Sequence, residues 1–232
     1  MKIAGSTALV TGANRGFGRH LAAELLSRGA TVYAGARNPD SVDLPGVTPV
    51  RLDITDPASV AAAAALTGDV NLLINNAGID TGSDLLEGDL DLVRLELETH
   101  YLGTLSMVRA FAPIIAGNGG GTVLNVLSVL SWVTFPSVGA YSAAKSAEWS
   151  MTNALRAQLA DRGVRVAGLH VGYMDTDMTA AVTAPKSDPA VIARLGVDGI
   201  EADAYEIVAD DISRQVQAGL AGGVAALYPQ LP

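Results

Sequence analysis

Short runs rich in Val, Leu, Ile and Thr alternate with longer, helix-punctuated stretches from the first residues onward, and that alternation constrains the fold more than any other feature. Two parallel strands can be joined only by a crossover long enough to hold a helix, and several of these runs are apolar throughout, as strands buried on both faces must be. The pattern predicts strands near 7–11, 31–35, 48–53, 70–75, 122–127 and 165–171. Helices are expected over 18–27, over the alanine-rich stretch to Leu66 that Asp56 caps and Pro57 opens, and over two longer spans, 90–116 and 141–161. The fold class is therefore α/β, a doubly wound parallel sheet in three α/β/α layers. Residues 176–197 break the rhythm with Pro185 and Pro189 and are expected to lie over the site as a loop or short helices, a substrate lid.

A chain of 232 residues with no Pro/Ser-rich linker and no internal repeat is expected to form a single domain, 1–232. Hydrophobic residues make up 49% of it, yet glycines and charges interrupt every apolar segment before the roughly 18 residues that a membrane span needs. No membrane partner is expected. The N-terminus runs into the first strand pattern without a cleavable leader, which reads as a cytoplasmic protein. There is no cysteine, and His20, His100 and His170 lie far apart, so no metal site is expected. A net charge of −9 with no basic run disfavours nucleic acid as a partner.

A small phosphorylated ligand remains compatible with that charge, and one segment suits it. Gly12, Asn14, Arg15, Gly16, Phe17 and Gly18 follow the first strand and open the first helix. Glycines there allow a tight turn and close backbone approach to a pyrophosphate at a helix N-terminus. The spacing is TGxxxGxG, distinct from the GxGxxG of other dinucleotide folds. The second strand ends at Ala34-Gly35-Ala36-Arg37, where an NAD-binding fold usually sets an acid against the ribose 2′-hydroxyl. No acid is present, and Arg37 and Arg15 suit a 2′-phosphate instead, so the expected cofactor is NADP(H).

Tyr141 and Lys145 stand four residues apart, hence on one helix face. The chain has only three lysines, Lys2, Lys145 and Lys186, so chance rarely makes such a pair. A ketone being reduced needs a proton at oxygen as hydride reaches carbon, and an alcohol being oxidised needs the reverse. A tyrosine serves both if its pKa, ordinarily about 10, is lowered, and a neighbouring lysine and a positive nicotinamide ring would lower it. Ser128, at the end of the fifth strand, is placed to hydrogen-bond a substrate oxygen beside Tyr141, with Ser131 as the competing candidate.

With Asn75-Asn76-Ala77-Gly78 also present, the sequence resembles the short-chain dehydrogenase/reductase family over nearly its full length, and thus a Rossmann-type fold. The resemblance implies that Ser128 orients substrate, that Tyr141 is the acid/base, and that Lys145 lowers its pKa and binds the nicotinamide ribose. It further implies that Asp53, with Ile54, borders the adenine, that Asn76, Ala77 and Gly78 contact the cofactor, and that Gly172, Tyr173, Met174 and Thr176 receive the carboxamide. Two positions depart from the family pattern. Val171 stands where a proline is usual, and His100 where an asparagine completes the proton relay. A neutral imidazole both donates and accepts, so His100 is expected to serve an altered relay, although it could equally fill space or bond a carbonyl.

The expected function is hydride transfer between NADP(H) and a lipophilic carbonyl or secondary alcohol. The alternative is an NADP(H)-binding sensor or scaffold with little turnover. Trp132, Phe135, Met178 and Val182 are expected to border the substrate, although the aromatics could equally be packing or subunit contacts. A homodimer or homotetramer is expected through the two long helices, whose outer faces are read as carrying Leu102, Met107, Trp149 and Met151.

Overall fold

Strand β1 (Thr7–Thr11) has Ala8, Leu9 and Val10 wholly buried, which requires protein on both of its faces. The computed structural model, which describes residues 1–231, supplies that cover. Strands β2 (Thr31–Ala36), β3 (Thr48–Arg51), β4 (Leu72–Asn75), β5 (Gly121–Val126), β6 (Val164–His170) and β7 (Glu206–Val208) join β1 in one seven-stranded sheet. All are parallel, in the order β3-β2-β1-β4-β5-β6-β7.

Because side chains alternate along a strand, each face has its own core. Ala8 and Val10 pack with Leu21 and Leu25 of α1 (Gly16–Ser27) and Ile192 and Val197 of α6 (Pro189–Glu201). Leu9 faces the opposite way, toward Val60 of α2 (Pro57–Leu66), Phe111 of α4 (Thr104–Gly117) and Leu155 of α5 (Gly139–Leu159). The remaining helices are α3 (Leu90–Leu97), α7 (Asp211–Gly219) and the short α8 (Gly223–Leu227). The doubly wound three-layer sandwich expected from the alternation is the fold observed.

The six expected strands are all present, with ends displaced by one or two residues, and β7 is an addition to them. Three further expectations change. The helix expected over 90–116 is present but is not α-helical throughout: α3 and α4 run into each other through a π-helical turn, Glu98–Gly103. The segment 176–197, expected to be a lid, is not all loop: Asp188 caps α6 through the Ala190 amide, Pro189 takes its first turn, and buried Ile192, Ala193, Val197 and Ile200 tie the helix to the core. Only the stretch between Thr176 and Asp188 remains outside a regular α-helix. Met107 and Met151 are core residues rather than outer-face ones, leaving Leu102 exposed and Trp149 half-buried.

Candidate active site

From β1 the chain winds toward β2 and β3, and from β4 it winds the other way, so the carboxyl ends of β1 and β4 open a crevice between diverging loops. A cavity of about 1380 Å³ lies along these strand ends, lined by residues of both halves of the sheet. The glycine loop and the turn after β4 are locked together at its floor. Asn76 Nδ2 donates to the Thr11 carbonyl (2.9 Å), and the Thr11 hydroxyl accepts from the Asn76 and Ala77 amides (both 2.9 Å). Gly18 sits so close to this lock that a Cβ would collide with the Gly12 carbonyl and the Asn76 amide. Gly12 and Gly16 have φ of +66° and +54°, which side-chain-bearing residues rarely adopt.

Every other candidate cofactor residue borders the same cavity: Asn14, Arg15, Phe17, Arg37, Asp53, Ile54, Asn76, Ala77, Gly78, Gly172, Tyr173, Met174 and Thr176. Arg37 is exposed at its rim, and Arg15 makes only an exposed 3.3 Å ion pair with Asp177. The Asp53 carboxylate accepts from the Thr55 hydroxyl (2.7 Å) and amide (3.0 Å), and the hydroxyl bond above all holds its carboxyl below the usual range. At the other end, the Gly172 amide donates to Asp210 Oδ2 (2.7 Å), anchoring the turn that here begins with Val171. These residues form a cradle of bare backbone, flanked by arginines, that fits a dinucleotide.

The candidate reacting groups converge farther along. Ser128 caps the turn Val129–Ser131: its Oγ accepts from the Leu130 amide (3.1 Å), while Ser131 Oγ accepts from the Ser128 amide (3.3 Å). Ser128 borders the cavity and Ser131 does not, which favours Ser128 of the two candidates. Tyr141 lies in the first turn of α5, and Lys145 follows one turn later with Nζ 5.8 Å from the phenol ring centroid.

Lys145 is itself held. Its Nζ donates to the Val126 carbonyl (2.8 Å) and to Glu148 Oε2 (2.7 Å), and both side chains of this ion pair are buried. Burial, the largest single influence, would lower the ammonium pKa, but Glu148 at contact distance, together with Tyr141 and Glu96, outweighs it and the net direction is upward. At Tyr141, burial pushes the phenol pKa up. Lys145 opposes that, while Glu148, Asp80 and Glu96 reinforce it, and the net direction is again upward. In the protein alone, therefore, the expected lowering by Lys145 is outweighed by lost solvation and three carboxylates.

His100 lies in the π turn, a geometry that often marks a functional position. Its Nε2 is 2.7 Å from the Ile79 carbonyl and 3.3 Å from Glu96 Oε2, two acceptors, while the Ile79 amide, a donor, lies 3.3 Å from the same nitrogen; the shortest contact favours the tautomer with its proton on Nε2. The ring meets Tyr141 edge-on with centroids 5.1 Å apart, and Nδ1 is buried without a protein partner. Gly78 makes room for it, since a Cβ there would come within 2.6 Å of His100 Cε1. Of the candidate substrate-side residues, Phe135 and Met178 line the cavity, whereas Trp132 stacks on His170 at 3.8 Å and points elsewhere.

Glu148, Glu96, Asp80 and Asp210 are the site neighbours that motif reading passes over. Glu148 stands three residues after Lys145 and Glu96 four before His100, so helical spacing alone could have found both. Asp210 reaches Gly172 across 38 residues of sequence and leaves no local signal.

Comparison with known proteins places this geometry. Residues 6–187 match the family described as short chain dehydrogenase. A short chain dehydrogenase from Burkholderia cenocepacia solved in complex with NADP superposes with a TM-score of 0.95 at 41% identity, over 100% of this chain and 99% of that one. A short chain dehydrogenase/reductase from Burkholderia phymatum in complex with NAD gives 0.87 at 26% identity, over 100% and 99%. Carbonyl reductase (NADPH) 2 from Sus scrofa is 32% identical over 208 residues, 84% of this chain and 81% of that protein. Some curated relatives are longer, and the chain spans 61% to 65% of their length.

Proposed function

The chain belongs to the short-chain dehydrogenase/reductase family of oxidoreductases, and from that premise we propose that it moves a hydride between NADP(H) and a lipophilic carbonyl or secondary alcohol, with Tyr141 as the acid/base. The observation that carries the reading is convergence: Ser128, Tyr141 and Lys145 line the same cavity as the glycine loop and the two rim arginines. NADP(H), when bound, supplies or accepts the hydride.

The chain's own residues do the rest. Gly12, Gly16 and Gly18 bring bare backbone to the pyrophosphate, and Arg15 and Arg37 face the 2′-phosphate, with Arg37 standing at the end of β2 where an NAD-binding fold usually sets an acid. One of the two Burkholderia relatives is solved with NADP and the other with NAD, and the reading of NADP(H) for this chain rests on its own pair of arginines. Ser128 donates to the substrate oxygen and holds it beside the Tyr141 hydroxyl. In reduction the phenol gives its proton to that oxygen as hydride reaches the carbon, and in oxidation the phenolate takes it back. Lys145 holds the ribose and supports the phenolate, and His100 offers its free Nδ1 as an acceptor in an altered relay. Phe135 and Met178 give the substrate end an apolar wall. The functional unit is a homodimer or homotetramer built on the exposed leucines of the α3 region.

The test is to mix the protein with NADPH or NADH and a panel of ketones and diketones, following absorbance of the reduced cofactor. NADPH-preferring consumption that falls at least about 100-fold in Tyr141→Phe is the expected result, the scale of a lost general acid. Tight NADPH binding with no Tyr141-dependent consumption on any substrate would instead establish the sensor reading.

A further inference from the structure

Glu148 has no part in the roles described so far, yet its carboxylate is 2% exposed and lies 2.7 Å from the Lys145 ammonium, itself nearly buried. Two charges are removed from water to make this contact, and such pairs persist only where geometry and surrounding hydrogen bonds compensate. The surroundings do compensate. Thr104 Oγ1 of α4 donates to Glu148 Oε1 (3.4 Å), and the Val126 carbonyl at the end of β5 takes another Lys145 proton (2.8 Å). One turn farther, Thr152 bonds the Glu148 carbonyl and accepts from Asn125, so the helix backbone under the carboxylate is pinned to the sheet. A lysine needing only to be held in place has the Val126 carbonyl for that. The added carboxylate changes its charge environment.

We propose that Glu148 is a positioning residue that neutralises much of the Lys145 field and so keeps Tyr141 in its protonated, proton-donating form across neutral pH. This rests on Tyr141 being the acid/base of the proposed hydride transfer. The charged or titratable groups around the phenol bear it out. Lys145 on the same helix is the cation acting on it, against Glu148, Glu96 of α3 and Asp80 of the loop after β4; His100 of the π turn packs edge-on against its ring. Of the three carboxylates, Glu148 alone is in contact with the lysine, so it acts on the phenol twice, by repelling the phenolate and by occupying the ammonium. The consequence is a reduction that runs at full rate to higher pH, and an oxidation whose acid limb is displaced upward by the same amount. The equilibrium between ketone and alcohol is unchanged, because a catalyst lowers the barrier equally in both directions.

The experiment compares wild type with Glu148→Gln, which keeps the shape and removes the charge. Profiles of kcat/KM against pH are measured for NADPH-dependent reduction and for NADP-dependent oxidation of the same ketone/alcohol pair. Both limbs are expected to move down by about one pH unit, a tenfold change at fixed pH on the sloping part, and to move together. Superimposable profiles, or a uniform loss of rate with no shift, overturn the proposal. A readout free of turnover accompanies it: the ultraviolet phenolate signal that Tyr141→Phe removes, followed through alkaline titration with NADP bound, should appear at lower pH in Glu148→Gln. If Tyr141→Phe retains full activity, the acid/base assignment fails. If Tyr141→Phe is inactive and Glu148→Gln shifts neither profile nor titration, only the role of Glu148 fails. Glu148→Ala, read by the same titration, covers the case in which the buried glutamine disturbs folding.

Discussion

A single methyl group separates a working dinucleotide cradle from a blocked one at Gly18. Its Cβ would meet the Gly12 carbonyl and the Asn76 amide, and both are backbone or backbone-locked groups that cannot swing away. Gly18→Ala is therefore expected to prise the glycine loop from the turn after β4, destabilising the fold by about 1–3 kcal/mol, as overpacking does. It should also weaken NADPH binding by tenfold or more in a fluorescence titration. Gly68 is the internal control, since a Cβ there meets nothing within 4 Å and Gly68→Ala should leave binding and melting temperature unchanged. Equal behaviour of the two variants would show that the loop tolerates the methyl. This is also the part of the site most legible in the sequence. Glycines at TGxxxGxG spacing, and Tyr141 with Lys145 one turn apart, are local patterns whose chemistry follows from spacing alone. Lys145's partner was equally local, but an acid three residues along a helix is so often a solvated surface pair that spacing without burial carries little weight.

At the scale of elements, what sequence patterning missed is what depends on distant packing. Strand β7 has only three residues and begins with Glu206, so it lacks the apolar run that marks the other strands. It exists because Ile207 joins the core and because Glu206 is fixed by three donors at once: His170 Nε2 (2.8 Å), Arg156 Nη1 (2.8 Å) and Trp149 Nε1 (3.4 Å). The same His170 lies with its Nδ1 3.2 Å from the Ser128 carbonyl, so this edge strand reaches the turn that carries Ser128 through one imidazole. Burial would raise the Glu206 carboxyl pKa, but the bonds from His170 and Arg156 win and hold it below the usual carboxylate value. A depressed folded-state pKa stabilises the protein above the unfolded value, about 4.5, and that contribution fades as pH falls through the lower folded value. Glu206→Gln should cost about 2 kcal/mol at pH 7, a melting temperature lower by roughly 4–8 °C. The gap from wild type should close on acidification, and a gap constant from pH 7 to pH 3 would assign the effect to packing instead. The π turn was likewise invisible beforehand: the periodicity of 90–116 is helical on both sides, and the extra residue shows only once α3 and α4 are both seated on α5.

For the molecule as a whole, the unresolved balance is between a strong negative charge and an apolar flank. The formal charge of −9 favours separation of copies, yet α3 and the π turn leave Leu90, Leu92, Leu95, Leu97 and Leu102 between 36% and 62% exposed. Scattered exposed leucines are ordinary, but five within residues 90–102 make an apolar flank large enough to meet another protein surface. Self-association by a two-fold axis would place this face against its own copy and bury the leucines without bringing in a new partner. The oligomer is thus expected to depend on apolar contact and to be strengthened, not weakened, by salt, because screening removes repulsion between acidic copies while leaving the apolar term intact. Sedimentation at micromolar concentration should show a dimer or tetramer for wild type and a shift toward monomer for Leu92→Asp with Leu102→Asp. The same substitutions should leave the far-ultraviolet spectrum and NADPH binding in place, as both residues lie outside the cavity. A monomeric wild type at both low and high salt would mean that these leucines serve something other than self-association.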